Sequence, residues 1–186
     1  MKQVFRRGLN AAQLDRRVFT EIRTDPAGPA DGAMMVAVVA AVVFLAGWLR
    51  WDGLSLENLV RGLLDNVVGW VAAWLLLAVF TWVGASKVFR GHGEMRDLIA
   101  VQGIGFLPNA LALTAAVTEG PSILRYGGLV GYFWYLVVAA IATEVIMRLP
   151  RREAALSVLI GLAGVLVLDL LLGRSLQVVH MLASIA

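Results

Sequence analysis

Five long apolar stretches, separated by short polar loops, constrain this chain more than any other feature of its sequence. A helix rises about 1.5 Å per residue, so each stretch supplies most or all of the roughly 20 residues that cross the hydrocarbon layer of a membrane. The composition is 60% hydrophobic with a mean hydropathy of +0.80, whereas a soluble domain is about half apolar. The sequence therefore predicts an all-α, polytopic integral membrane protein built on a five-helix transmembrane bundle. The predicted spans are residues 33–49, 66–85, 98–118, 127–147 and 154–172.

The basic residues are distributed unevenly between the loops, and this distribution predicts the orientation of the chain. Short loops rich in lysine and arginine stay in the cytoplasm. Twelve of the sixteen basic residues lie in the amino-terminal segment and in the loops after the second and fourth spans. We therefore expect a cytoplasmic amino terminus and a periplasmic or other extracytoplasmic carboxyl terminus. Anionic lipid, rather than nucleic acid, is the expected partner of this positive charge.

Residues 1–32 precede the first span and have the pattern of a basic amphipathic helix, so we separate them from the transmembrane domain, residues 33–186. Apolar pairs recur every seven residues, beginning with Val4 and Phe5. Such a helix is expected to lie in the membrane interface with its apolar face among acyl chains. The alternative is a docking surface for a cytoplasmic partner. The arginines expected to face lipid or a partner are Arg6, Arg7, Arg16, Arg17 and Arg23.

Two carboxylates fall within the predicted spans, where burying an ionisable group costs about 3 kcal/mol. Glu144 has Arg148 four residues later on the same helical face, which favours an ion pair near the membrane surface. Asp169 lies deeper, and Arg174, its nearest basic neighbour in sequence, would have to reach back to meet it. Asp169 is either a structural, hydrogen-bonded carboxyl or a member, with Glu144, of a transport relay.

The third predicted span contains an unusual set of polar and helix-breaking residues. Pro108 removes a backbone hydrogen bond and is expected to kink the helix. The amides of Gln102 and Asn109 are seven residues apart, on one face, and need partners inside the bundle. These residues form either the floor of a polar cavity with a hinge or a set of interhelical contacts that hold the bundle together.

The sequence offers no arrangement typical of an enzyme or of a cofactor site. The chain has no cysteine, which removes thiolate nucleophiles, iron–sulfur clusters and covalently attached haem. His92 and His180 fall in segments predicted on opposite sides of the membrane, so they cannot share a metal ion. The serines lack histidine and carboxylate partners in a shared layer. We therefore expect no catalysis, no cofactor and no metal.

Two segments resemble a known family. The first is LDRRVFTEIR with the Asp-Pro that soon follows it, within residues 14–26, and the second is GHGEMRDL at 91–98, which leads into GIGFLP at 103–108. Together with the five spans, they are similar to the bacterial branch of the Ypt-interacting protein (Yip) family. Eukaryotic members of that family bind small GTPases of the Rab type and act in vesicle formation. This chain departs from their Asp-Leu-Tyr-Gly-Pro signature, so GTPase binding is not carried over.

These observations predict a non-enzymatic protein of the Yip type in the bacterial inner membrane. It is expected to act as a scaffold or interaction partner for membrane proteins or lipids, or to form a homo-oligomer. The alternative is a small transporter or lipid-moving protein that uses its intramembrane carboxylates. The scaffold is preferred because the five spans show no internal repeat and few intramembrane charges.

Overall fold

In a computed structural model, the chain is almost entirely helical over the residues that the structure describes, which are 2–49, 55–117 and 126–172. Within these described ranges, five helical segments are long and apolar enough to cross a membrane. The predicted fold class is therefore confirmed. The final residue of the predicted third span, Thr118, and residues 173–186 lie outside the described part. The helices are α1 (Lys2–Ala12), α2 (Arg16–Arg23), α3 (Gly28–Trp48), α4 (Leu56–Val83), α5 (Met95–Ile104), α6 (Ala112–Val117), α7 (Gly127–Met147) and α8 (Arg151–Leu172).

The second span begins ten residues earlier than the sequence predicts. α4 has 28 residues, which at about 1.5 Å each make a helix of roughly 42 Å, longer than the hydrocarbon layer of about 30 Å. Ser55 caps its first turn, because its Oγ accepts a hydrogen bond from the backbone N–H of Asn58 at 3.2 Å. No proline interrupts Leu56–Val83, so the residues before 66 belong to the same helix as the span. At its other end α4 continues into a π-helix, Gly84–Val88.

The third span is broken near its middle rather than merely kinked at Pro108. α5 ends at Ile104, four residues before the proline, because a proline ring collides with the carbonyl four residues earlier. A short 3-10 helix, Leu107–Leu111, and then α6 continue the span. The side-chain amide and the backbone N–H of Asn109 both donate to the carbonyl of Phe106, at 3.2 and 3.0 Å. Asn109 thus stabilises the break itself.

Glycines on α7 allow the helix to approach this broken span closely. A Cβ on Gly131 would collide with the carbonyl oxygen of Pro108, so the two backbones pack without an intervening side chain. α7 ends at Met147, and Arg148 follows in the left-handed conformation with a φ of 55°. This residue turns the chain so that α8 begins only three residues later.

The amino-terminal segment forms two helices rather than one. α1 and α2 are joined at Leu14, whose φ of 64° reverses the direction of the chain. Asp15 caps α2, because its carboxylate accepts a hydrogen bond from the backbone N–H of Arg17 at 3.0 Å. The two helices can therefore pack against different parts of the bundle.

The apolar stripe of α2 packs on protein and not, as predicted, among acyl chains. Phe19 is fully buried (0% exposed) in a cluster with Leu98 of α5 and Ile146 of α7. At the end of α1, the carbonyl of Ala12 accepts a hydrogen bond from Nε1 of Trp134 in α7 at 2.9 Å. The prediction was wrong for this face because the ends of α5 and α7 offer a closely packed apolar surface.

Candidate interaction face

Arg7 lies inside the fold, between α1, α2 and the start of α3. Its Nη1 lies 2.6 Å from Oδ2 of Asp25, and its Nη2 lies 2.9 Å from Oε1 of Glu21. A third carboxylate, that of Asp31 in the first turn of α3, lies 3.5 Å from Nη1. Only 8% of the Arg7 side chain is exposed, so the prediction that it faces lipid or a partner is wrong. Its guanidinium carries donors in several directions and so fastens three chain segments together.

This network also shifts the ionisation of its members. A hydrogen bond from the Arg7 guanidinium, with a second from the backbone N–H of Ala27, lowers the pKa of Asp25 below its ordinary value. Burial desolvates Arg7, but its hydrogen bonds to Asp25 and Glu21 and their negative charges raise its pKa. Arg7 and Asp25 are therefore both charged at neutral pH.

The sequence predicts that Glu144 pairs with Arg148, but in the structure it contacts two other arginines. Its Oε1 lies 2.8 Å from Nη2 of Arg16, and its Oε2 lies 3.5 Å from Nε of Arg151. Arg148 has left the helical conformation, which removes it from the register that a pair four residues apart requires. Glu144 therefore ties α2 to the corner between α7 and α8.

Two further contacts join the amino-terminal segment to α5. Nε of Arg23 lies 3.8 Å from Oδ2 of Asp97, and Nη2 of Arg96 donates to the carbonyl of Pro26 at 2.7 Å. Of the five arginines singled out in the sequence, Arg7 is thus buried and Arg16 and Arg23 are paired. Arg6 and Arg17 point outward from α1 and α2.

The glycine-containing loop between α4 and α5 packs directly on the end of α7. The carbonyl of Gly93 accepts a hydrogen bond from Nε1 of Trp82 at 3.2 Å. The backbone N–H of His92 donates to the carbonyl of Met147, also at 3.2 Å. A Cβ on Gly93 would lie only 2.6 Å from the carbonyl oxygen of Ile146, so a larger residue would push the loop away. The GHG motif is therefore explained by packing.

This loop, α2 and the α7–α8 corner form one surface, which we call the basic face: α2, residues 84–96 and residues 148–152. Among the described residues of this face, the exposed carboxylates are Glu21 and Glu94, with Asp15 at its edge. Exposed cations clearly outnumber them, and the contacts described above hold the backbone that carries these cations. The exposed cations are Arg16, Arg17, Arg23, Lys87, Arg90, Arg96, Arg148, Arg151 and Arg152.

Gln102 lies in the interior of the bundle, as the sequence predicts for the third span. It is 0% exposed, and neither amide atom has a hydrogen-bond partner within the described part of the chain. The same is true of Nε1 of Trp74 and of the hydroxyl of Tyr135. These two aromatic residues line a cavity of about 10 Å³, about the room that one water molecule needs. Tyr135 belongs to a run of aromatic residues at 132–135, for which the sequence predicts packing, with a lipid- or ligand-facing pocket as the alternative. Sequence reasoning did not single out Trp74.

The structure does not bring the two intramembrane carboxylates together. Asp169 is buried (4% exposed) near the far end of α8. It lies five helical turns beyond Arg151, the partner of Glu144. The separation of Asp169 from Arg151 is about 27 Å along α8 at 1.5 Å per residue. Arg174, its suggested partner, lies outside the described residues. Within the described ranges, no group of three or more histidine, aspartate and glutamate side chains is arranged to hold a metal ion.

A family model for the Yip1 domain matches residues 14–172, from the turn before α2 to the end of α8. The chain belongs to the Yip1 domain family. The family region of this Yip1-domain protein contains the basic face and all five spans, whereas α1 precedes it. An uncharacterized protein of Methanocaldococcus jannaschii is 34% identical over 50 residues, which are 27% of this chain and 35% of that relative. No solved structure matches the chain.

Proposed function

We propose that this Yip1-domain protein is a non-enzymatic membrane scaffold that docks an acidic membrane-associated protein on its basic face. The observation that carries the proposal is the fixing of α2 on the bundle. Phe19 is buried against α5 and α7, and Arg16 is bonded to Glu144. The exposed cations therefore stand on a rigid base, so less conformational entropy is lost when a partner binds.

The basic face is proposed to lie in the cytoplasm of a bacterium whose inner membrane holds the protein. The support is the excess of lysine and arginine in the segments that build the face. The chain has no cysteine, so single cysteines at Arg17 and at Arg61 near the start of α4 report each side separately. A membrane-impermeant maleimide added to intact cells should label position 61 and spare position 17. The reverse pattern would refute this orientation.

The observation in favour of a transport function is the burial of Asp169 in α8. The separation of Asp169 from Glu144 supports the scaffold instead, because Asp169 lies about 27 Å along α8 from Arg151, which contacts Glu144. The cavity lined by Trp74 and Tyr135 has a volume of about 10 Å³, which admits about one water molecule. Glu144 is moreover held by two arginines.

The proposal is tested by purifying the protein in a mild detergent and quantifying the proteins that remain bound in stoichiometric amount. Two charge reversals on the basic face, Arg17→Glu and Arg90→Glu, should together release the partner. Arg61→Glu is the matched control, because its side chain is 83% exposed at the opposite end of the bundle. A partner that survives both reversals would refute docking on this face. Purified protein without a partner that drives ion or lipid flux in liposomes, lost in Asp169→Asn, would favour the transporter.

A further inference from the structure

Aromatic side chains from three spans meet where the third span is broken. Phe106, at the break, meets Trp70 of α4 edge-on with the ring centroids 5.4 Å apart, and it meets Tyr135 of α7 in the same way at 5.1 Å. Phe106 follows Met95, the first residue of α5, by about 16 Å at 1.5 Å per residue, which is half of a hydrocarbon layer of about 30 Å. These rings therefore lie far from both membrane surfaces.

Two polar atoms in this region are buried without a hydrogen-bond partner in the part of the chain that the structure describes. They are Nε1 of Trp74 and the hydroxyl oxygen of Tyr135, and the two residues are 2% and 1% exposed. A polar group that has been removed from water destabilises a fold unless it is bonded again. Hydrocarbon offers no such bond at this depth. Both atoms therefore need a partner from within the bundle.

The cavity that both side chains line restricts what this partner is. Its volume of about 10 Å³ has room for one atom heavier than hydrogen. An ester or ketone oxygen does not fit, because it brings its carbon atoms with it. The indole N–H of Trp74 can only donate a hydrogen bond, which excludes a cation as its partner. A water molecule meets both conditions, because it is small enough and its oxygen accepts.

We propose that one buried water molecule bridges Trp74 of α4 and Tyr135 of α7. Its oxygen accepts a hydrogen bond from the indole N–H, and it shares a second bond with the tyrosine hydroxyl, which both donates and accepts. Phe106 also lines the cavity, so the bridge holds the second and fourth spans together beside the break in the third. This site is separate from the basic face, and its failure would leave the proposed docking function untouched.

NMR spectroscopy of the full chain in detergent micelles tests the bridge, with spectra that separate nuclear Overhauser transfer from chemical exchange. The indole N–H of Trp74 should show a contact with a long-lived water molecule, and Trp74→Phe assigns the signal. Tyr135→Phe should abolish this contact. The internal control is Trp82, whose Nε1 donates to the carbonyl of Gly93 and should show no such contact. A Trp74 signal without the contact, or a contact that survives in Tyr135→Phe, would overturn the bridge.

Thermal unfolding in the same detergent tests the tyrosine hydroxyl independently. Deletion of an unpartnered hydroxyl would leave the melting temperature unchanged or raise it, whereas deletion of a bonded one lowers it. We expect Tyr135→Phe to lower it by about 2–4 °C. Tyr132→Phe is the matched control, because Tyr132 lines the same cavity and its hydroxyl is not among the unpartnered buried atoms of the described residues. It should melt within about 1 °C of wild type. A Tyr135→Phe protein as stable as wild type would overturn the bridge.

Discussion

Arg7 and Asp25 are joined by a contact of 2.6 Å that fastens α1 to the chain just before the first span. Because Arg7 also contacts Glu21 and Asp31, its removal leaves three carboxylates close together without their shared cation. We expect Arg7→Met to lower the free energy of unfolding by about 2 kcal/mol, the usual cost of losing a charged hydrogen bond. Thermal unfolding in detergent measures this. Arg6→Met, on the exposed side of α1, should change stability by less than about 0.5 kcal/mol.

The lowered pKa of Asp25 predicts a dependence of stability on pH. Because Arg7 favours the ionised carboxylate in the folded protein, this stabilisation is complete above the ordinary value of 3.8 and is lost as the pH falls through the lowered folded pKa. The melting temperature should therefore decline more steeply in wild type than in Asp25→Asn below that value. Melting curves collected from about pH 6 to pH 3 test the difference. Parallel curves would contradict the assigned role of Asp25.

Phe19 should determine whether α2 stays on the bundle. Its full burial predicts that Phe19→Ala costs about 3–5 kcal/mol of packing, which exceeds what the Arg16–Glu144 pair can offset. Limited trypsin digestion should then cut after Arg17 and Arg23 much faster than in wild type. Phe5→Ala, on the exposed side of α1, is the control and should be cut at the wild-type rate. Equal rates for all three proteins would contradict docking of α2.

The spans and a distortion of the third span at Pro108 were predictable because they depend on local chemistry. Hydropathy over about 20 residues identifies a span, and the ring of Pro108 excludes its own helical hydrogen bond. The partners of Arg7 were not predictable in the same way. The pattern shows Arg7 as one of several basic residues, and its burial depends on the reversal at Leu14, which brings α2 beside α1.

The partner of Glu144 was not predictable from the sequence either. The spacing to Arg148 is correct for a helical pair, but the helix ends between them, and the partner comes from Arg16, 128 residues away. Orphaned interior groups such as Tyr135 are equally hidden, because an aromatic residue in a span is usually explained by packing alone. Sequence patterns thus identify elements well, whereas tertiary contacts decide which polar side chains are satisfied.

Gly93 should tolerate no side chain. In Gly93→Ala the new Cβ would lie 2.6 Å from the carbonyl oxygen of Ile146, so the loop must move and weaken its bond to Trp82. We expect a loss of about 1–3 kcal/mol and a changed tryptophan emission. Gly47→Ala is the matched control, because a Cβ there has open space around it, and it should stabilise the helix by up to about 1 kcal/mol. A neutral Gly93→Ala would show that the loop is not packed on α7.

Site-specific photo-crosslinking in living cells tests the docking function most directly. A photoreactive amino acid placed at Arg17, on the basic face, should form an adduct with one protein, and Arg90→Glu should abolish that adduct. The same probe at Arg61, at the other end of α4, should not form it. An Arg17 adduct that persists in Arg90→Glu, or one that appears equally from position 61, would contradict a partner docked on the basic face.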